Sequence, residues 1–191
     1  MSSQVSSTPR QQLNARQAET VEKLLDAAAD ELRSVGPEGV TVRTVAGRAG
    51  VSPATAYTYF ASRNHLFAEL FWRALVEDRG FEPVGEDALA RLRSVTRHLA
   101  DLLAASPELA AAATLSLLGS DPDVARLRLR IGVELVGRME AALAEAATPE
   151  VVEALGMAFS GALLNAGIGL MTYTEMGDRL DSVVATILTG N

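Results

Sequence analysis

The sequence predicts an all-α protein: an N-terminal helix-turn-helix head of three helices, followed by a C-terminal helical bundle. Three observations carry this. Long Ala- and Leu-rich stretches repeat their apolar residues at helical spacing and show no strand-like alternation. Pro and Gly gather at a few points, each beside a Ser, Thr or Asp that can cap a helix. The 191 residues, 48% apolar and 21% charged, suffice for one medium domain or for a small domain fused to a larger one.

Residues 1–15 are rich in Ser, Gln and Thr, lack an apolar period and read as a flexible arm containing Arg10. The head is expected over residues 16–64. Its first helix runs from Arg16 to Val35, where Val21, Leu25, Ala28, Leu32 and Val35 recur at spacings of 4, 3, 4 and 3 and mark one buried stripe. Gly36-Pro37 ends that helix. Thr41 is the expected N-cap of "VRTVAGRA", a helix of about two turns, because its hydroxyl can accept from a first-turn amide. The chain stops at Gly50 and restarts at "VSP", with Ser52 as cap and Pro53 at the first helical position, where a missing N–H costs nothing. Two short helices across a glycine turn are the parts of a helix-turn-helix, held to the first helix by Val45, Ala49, Val51 and Ala56.

Charge locates the working face. The chain carries 17 Lys/Arg against 24 Asp/Glu, a formal net charge of −7. Residues 1–80 balance at zero, so the whole excess of acid lies in residues 81–191. Between Gly39 and Ala68 stand Arg43, Arg48 and Arg63 and no carboxylate, a local +3. A small basic face on an acidic body suits one localised contact with nucleic acid and excludes binding over the whole surface. The second short helix would project outward with its N-terminal half in a major groove, where small and hydroxyl-bearing residues allow close approach. Ser52, Ala54, Thr55, Tyr57, Thr58 and Tyr59 fit that description. Ser62 can cap the next helix, so the Arg63 guanidinium and the positive end of that helix would meet one phosphate.

The stretch "TVRTVAGRAGVSPATAYTYFASRNHLF" resembles the N-terminal signature of the tetracycline-repressor (TetR) family of transcriptional regulators, over roughly residues 20–68. The resemblance implies a homodimer that binds a palindromic DNA operator and lets go when a small-molecule effector enters the C-terminal domain. By motif position, Arg43 would touch a base or a phosphate, Thr41, Tyr57, Tyr59 and Arg63 would touch phosphates, and Ser52, Ala54 and Thr55 would lie at the groove. Two positions depart from the family pattern. Ala56 stands where leucine is commoner, and Arg63 replaces the commoner lysine.

After Arg63 a helix with Leu66, Phe67, Leu70, Phe71, Ala74 and Leu75 on one side runs to about Asp78, and "GFEPVGED" breaks it. Residues 65–191 are expected to form the ligand-binding and dimerisation domain, with helices near 86–104, 107–118, 122–146, 149–173 and 175–188. From Ala154 to Thr174 there is no formal charge over twenty-one residues, long enough to raise a membrane span. Four glycines, Ser160, Asn165 and flanking acids argue against one, so a helix buried on all sides is expected. In the family the last two long helices pair with their twofold mates, and Gly156, Ser160, Ala166 and Gly167 would permit close approach there.

For a ligand the bundle offers a mainly apolar interior, including Leu102, Met139 and Phe159, with His98 and Asn165 as polar candidates and Trp72 off the main stripe of its helix. An effector fitting such a pocket is hydrophobic with one or two polar anchors. An enzyme is the rival reading. The sequence does not favour it: His65 and His98 stand far apart, and no metal-ligand spacing, phosphate loop, dinucleotide fingerprint or nucleophile elbow appears. No catalytic residue, metal site or cofactor is therefore expected. A constitutive DNA-binding protein without a ligand is the nearer alternative. The absence of cysteine and of an N-terminal apolar stretch fits a cytoplasmic location.

Overall fold

The computed structural model describes residues 9–190, with side chains from residue 15, and divides the chain into two units between Leu66 and Phe67. Among the described residues the regular structure is helical throughout, with no strand.

The first unit holds α1 (Pro9–Gly39), α2 (Val42–Arg48), α3 (Pro53–Tyr59) and the opening turn of α4 (Arg63–Glu77). Of the arm expected over residues 1–15, residues 1–8 lie outside the described residues, and the remainder is already helical, since α1 begins at Pro9 rather than at Arg16. Leu24, Leu25, Ala27, Ala28 and Leu32 form the buried stripe of α1. Val35 is 51% exposed instead of completing it, because the helical path breaks one residue later at Gly36, whose φ of +70° and ψ of 172° no helix accommodates. Val40, Val42, Val45, Ala46, Ala56, Phe60 and Leu66 complete the core of this unit. Val42 and Ala46 are buried where the apolar pattern pointed to Ala49 and Val51, which are only half-buried.

The second unit continues α4 and adds α5 (Ala88–Ala104), α6 (Pro107–Leu117), α7 (Pro122–Leu143), a single 3-10 turn, α8 (Pro149–Gly167) and α9 (Tyr173–Thr189). Helix α5 is the centre of this bundle and packs against α6, α7 and α9. It buries Leu92, Val95, Leu99 and Leu103, and each fully buried side chain of this size stabilises by roughly 1.5–3 kcal/mol. Side chains close most of the helix starts: Asp87 accepts from the Ala90 amide at 2.7 Å, Asp121 from the Asp123 amide at 2.9 Å, and Thr172 and Glu175 cap each other's backbone amides at 3.1 and 2.7 Å, whereas Ser106 makes no cap hydrogen bond at the start of α6.

The uncharged run is not one helix. Helix α8 ends at Gly167, the chain turns through Gly169 (φ +79°), and the Thr172 capping box starts α9 at Tyr173. Nor is the run buried on all sides, since Met157, Ile168 and Leu170 are exposed. Among the described residues no helix is long and apolar enough to cross a membrane.

A chain of charged side chains ties α4, α5 and α7 together. Asp78 accepts from His98 Nε2 at 2.7 Å and from Arg138 Nη1 at 2.6 Å. Arg138 also donates to the Leu75 carbonyl at 2.6 Å and to Glu134 Oε1 at 3.2 Å, and Glu134 Oε2 accepts from Arg79 Nη2 at 2.8 Å. Hydrogen bonds from Arg79 first, then from Arg138, hold the Glu134 carboxyl below the usual glutamate range.

Candidate functional site

The exposed face of the first unit is built by two capped helices and one turn. Thr41 Oγ1 accepts from the Thr44 amide and Thr44 Oγ1 from the Thr41 amide, both at 3.0 Å, so a second threonine does the work that glutamate does in the commoner capping box. Gly50 adopts φ +67°, which lets the chain reverse while the Val51 amide donates to the Ala46 carbonyl at 2.9 Å. Ser52 Oγ then accepts from the Thr55 amide at 3.1 Å, and Pro53 opens α3.

Ala56, with no accessible surface, and Phe60, at 3%, pin α3 to the core of its unit. The rest of its surface is free. Ser52, Pro53, Ala54, Thr55, Tyr57 and Thr58 are exposed and Tyr59 is half-buried. This outward face holds small side chains, three hydroxyls and one projecting tyrosine. It has no acid to repel a phosphate, and around Ser52, Ala54 and Thr55 no bulky side chain holds the backbone away from a base edge. The alanine at 56 seats α3 close against its unit without disturbing that face.

The three arginines of the acid-free segment do different things. Arg43 is exposed on α2 and has no ion-pair or hydrogen-bond partner among the described residues, so its guanidinium is available. Arg48 is spent: its Nε donates at 2.6 Å to Glu31, a nearly buried carboxylate on α1, and the local +3 loses one charge to a residue seventeen positions upstream. Arg63 reaches the Pro37 carbonyl at 3.4 Å and Glu38 Oε2 at 3.5 Å, a long pair to a 93% exposed carboxylate that a phosphate can outcompete. Ser62 caps α4 as expected, accepting from the His65 amide at 3.0 Å. Thr44 and Pro53, the latter read only as a helix start, were not among the residues expected at the DNA face, yet both are exposed beside residues that were.

The residues suggested for a ligand pocket are not brought together. Leu102 lines a cavity of about 100 Å³ with Phe71, Ala74, Leu103, Leu109 and Ala110. Met139 and Phe159 are ordinary core, and Asn165 is half-buried on α8. His98 is held by Asp78 and stacks on Phe81 with ring centroids 3.8 Å apart. Trp72 lines a separate open groove on the outside of the bundle. Phe71 and Ala74 were legible only as core, because periodicity marks a buried face without marking a void in it.

Of the four small residues on α8, Gly156 and Ser160 are accessible, whereas Ala166 and Gly167 are buried within the protomer. A Cβ at Gly167 would lie 2.9 Å from Thr114 Cγ2, so the close approach there is made to this chain's own α6.

Residues 24–70 match the model of the tetR family of bacterial regulatory proteins. An uncharacterized HTH-type transcriptional regulator of Mycobacterium tuberculosis is 46% identical over 93% of this chain and 84% of its own length. Among solved structures, a TetR transcriptional regulator from Rhodococcus sp. RHA1 superposes with a TM-score of 0.76 at 20% identity, covering 91% of this chain and 97% of that one. The Thermus thermophilus repressor FadR, solved in complex with lauroyl-CoA, does so with a TM-score of 0.67 at 21% identity, covering 88% and 93%. The exposed, capped α3 therefore sits in a fold and a sequence lineage of DNA-binding regulators, and the chain belongs to the TetR family of transcriptional regulators.

Proposed function

We propose that the protein is a ligand-responsive repressor that binds a palindromic operator as a homodimer and releases it when a hydrophobic effector enters the C-terminal unit. The observation that carries the DNA reading is the exposure of Ser52, Ala54, Thr55, Tyr57 and Thr58 around a fully buried Ala56. In this reading α3 enters the major groove, Arg43 contacts a base or phosphate, and Thr41, Tyr57, Tyr59 and Arg63 contact phosphates beside the amide-rich starts of α2 and α4.

Dimerisation is supported by an apolar face left open on α8 and α9. Met157, at 65% exposure, lies on α8 with the accessible Gly156 and Ser160, Ile168 follows directly at the end of that helix, and Val183 lies on α9. Two copies joined there would double the phosphate contacts, which a single small head needs for useful affinity.

Effector binding is supported by the cavity under Phe71, Ala74, Leu102 and Leu109. At about 100 Å³ it is below the roughly 300–1,000 Å³ of a ligand pocket, so an occupant must spread α4, α5 and α6. Helix α4 begins in the first unit and continues in the second, and its displacement is the route by which filling the cavity lowers operator affinity. The FadR relative binds an acyl-CoA, which makes a fatty acyl compound the first class to test.

Selection of bound sequences from random DNA tests the operator claim. A palindrome with half-sites about one helical turn apart, roughly 34 Å, is expected, and enrichment of no sequence would refute it. Titrating lauroyl-CoA and dodecanoate against the selected duplex then tests release. A saturating acyl ligand that left affinity unchanged would refute the release step for this class and leave the operator claim standing.

A further inference from the structure

The outer surface of the bundle carries a second site that the regulator reading does not use. Trp72, the sole tryptophan, lies half-buried at the edge of a groove of about 300 Å³ with Leu129, Val133, Arg79, Arg130 and Glu134. Leu129 and Val133, one turn apart on α7, are 72% and 74% exposed and form an unusually bare apolar wall.

The arginines of α7 explain why this place is special. Arg126 pairs with Asp123, and Arg128 donates to the Leu117 and Gly119 carbonyls, closing the end of α6. Arg130 has neither kind of partner among the described residues. Its guanidinium carbon sits 4.4 Å from the centre of the Trp72 ring instead. Arg79 also approaches that ring, at 5.4 Å, but spends its donors on Glu134. Stacking on indole fixes the plane of a guanidinium and leaves its N–H fork unspent, so Arg130 is preorganised to take an oxyanion. With Arg79, Arg130 and Glu134 the groove carries +1 on a half of the chain that is otherwise strongly acidic.

We infer that this groove binds an amphipathic organic anion, with a carboxylate or phosphate head on Arg130 and a hydrocarbon body along Leu129, Val133 and the Trp72 edge. The site is separate from the internal cavity and stands whether or not that cavity takes the effector.

Because Trp72 is the only tryptophan, its emission reports occupancy directly. The full chain is titrated with octyl phosphate and with octanoate, and with octyl glucoside and inorganic phosphate as body-only and head-only controls. Saturable change with one or both anions, at least tenfold tighter than with either control, is expected. The relative strength of the two anions tells a phosphate head from a carboxylate. Arg130→Gln should weaken binding tenfold or more without moving the melting temperature, and Val133→Asp should abolish it. Equal response to octyl glucoside, unchanged affinity in R130Q, or calorimetric binding with silent Trp72 emission would overturn the proposal. So would a V133D protein that sediments as a smaller species, which would make this face a contact between copies.

Discussion

Replacing Asp78 with alanine tests whether the charged chain across α4, α5 and α7 holds the bundle. Asp78 is 17% exposed and accepts two hydrogen bonds, from Arg138 at 2.6 Å and His98 at 2.7 Å. Breaking one partner out of a buried ion pair costs about 3–5 kcal/mol when the remaining charge is stranded. Arg138, 14% exposed, is not fully stranded, since the Leu75 carbonyl and Glu134 still accept from it, and His98 at 29% exposure can turn to water. The expected loss is therefore at the lower end, about 3 kcal/mol, equivalent to roughly 6–12 °C in Tm for a protein of this length. Urea unfolding at fixed protein concentration, with the denaturant slope unchanged, measures it. The double variant Asp78→Ala/Arg138→Met should lose less than the sum of the single variants, by about 1–3 kcal/mol. A D78A protein within about 0.5 kcal/mol of the parent, the range of an ordinary surface change, would refute the reasoning, as would strict additivity.

Gly167→Ala should cost about 1–3 kcal/mol, because its Cβ would meet Thr114 at 2.9 Å, whereas Gly156→Ala meets nothing within 4 Å in the protomer and should raise helix stability by about 0.5–1 kcal/mol. If G156A stabilises the protomer but shifts sedimentation toward a smaller species, the dimer face is located at the same time. Arg43→Ala should reduce the slope of log affinity against log salt by about two per dimer, one for each head, with stability unchanged. Arg48→Ala should do the reverse: leave the slope alone and cost about 1–3 kcal/mol by removing the partner of the nearly buried Glu31. Equal slope changes in the two variants would show that Arg48 faces DNA after all. The Glu175 carboxyl is held below its usual range, first by the Thr172 amide and then by the Thr172 hydroxyl. A depressed folded-state value means that its contribution is complete above the ordinary glutamate range, near pH 4.5, and is lost as the pH falls through the lower folded value. Glu175→Gln should therefore lower the urea midpoint at pH 7 and bring it closer to the parent at pH 3; an equal deficit at both would contradict the assignment.

The head was legible because its signals are local. A cap and the amide it accepts from are three residues apart, as at Thr41–Thr44 and Ser52–Thr55, and a left-handed turn announces itself as Gly50. The same locality gave the helix starts of the bundle at Pro107, Pro122 and Pro149. Charge was read less well, since counting acids within Gly39–Ala68 cannot see Glu31 reach Arg48 from α1. The residues suggested for an effector pocket are scattered through the second unit, and only Leu102 lines the cavity under Phe71 and Ala74. A cavity is a mismatch among side chains from α4, α5 and α6, and no single helix's period encodes it.

By itself the sequence determined the helical class, the punctuation of the chain and the outward residues of α3, because those depend on backbone preference and on partners within one turn. Only the tertiary structure decided which arginines keep a free guanidinium, that Gly167 serves packing within the protomer, and that Trp72 meets Arg130 at the surface. Each of those is a distance between residues far apart in the chain, set by how whole helices pack rather than by any local preference.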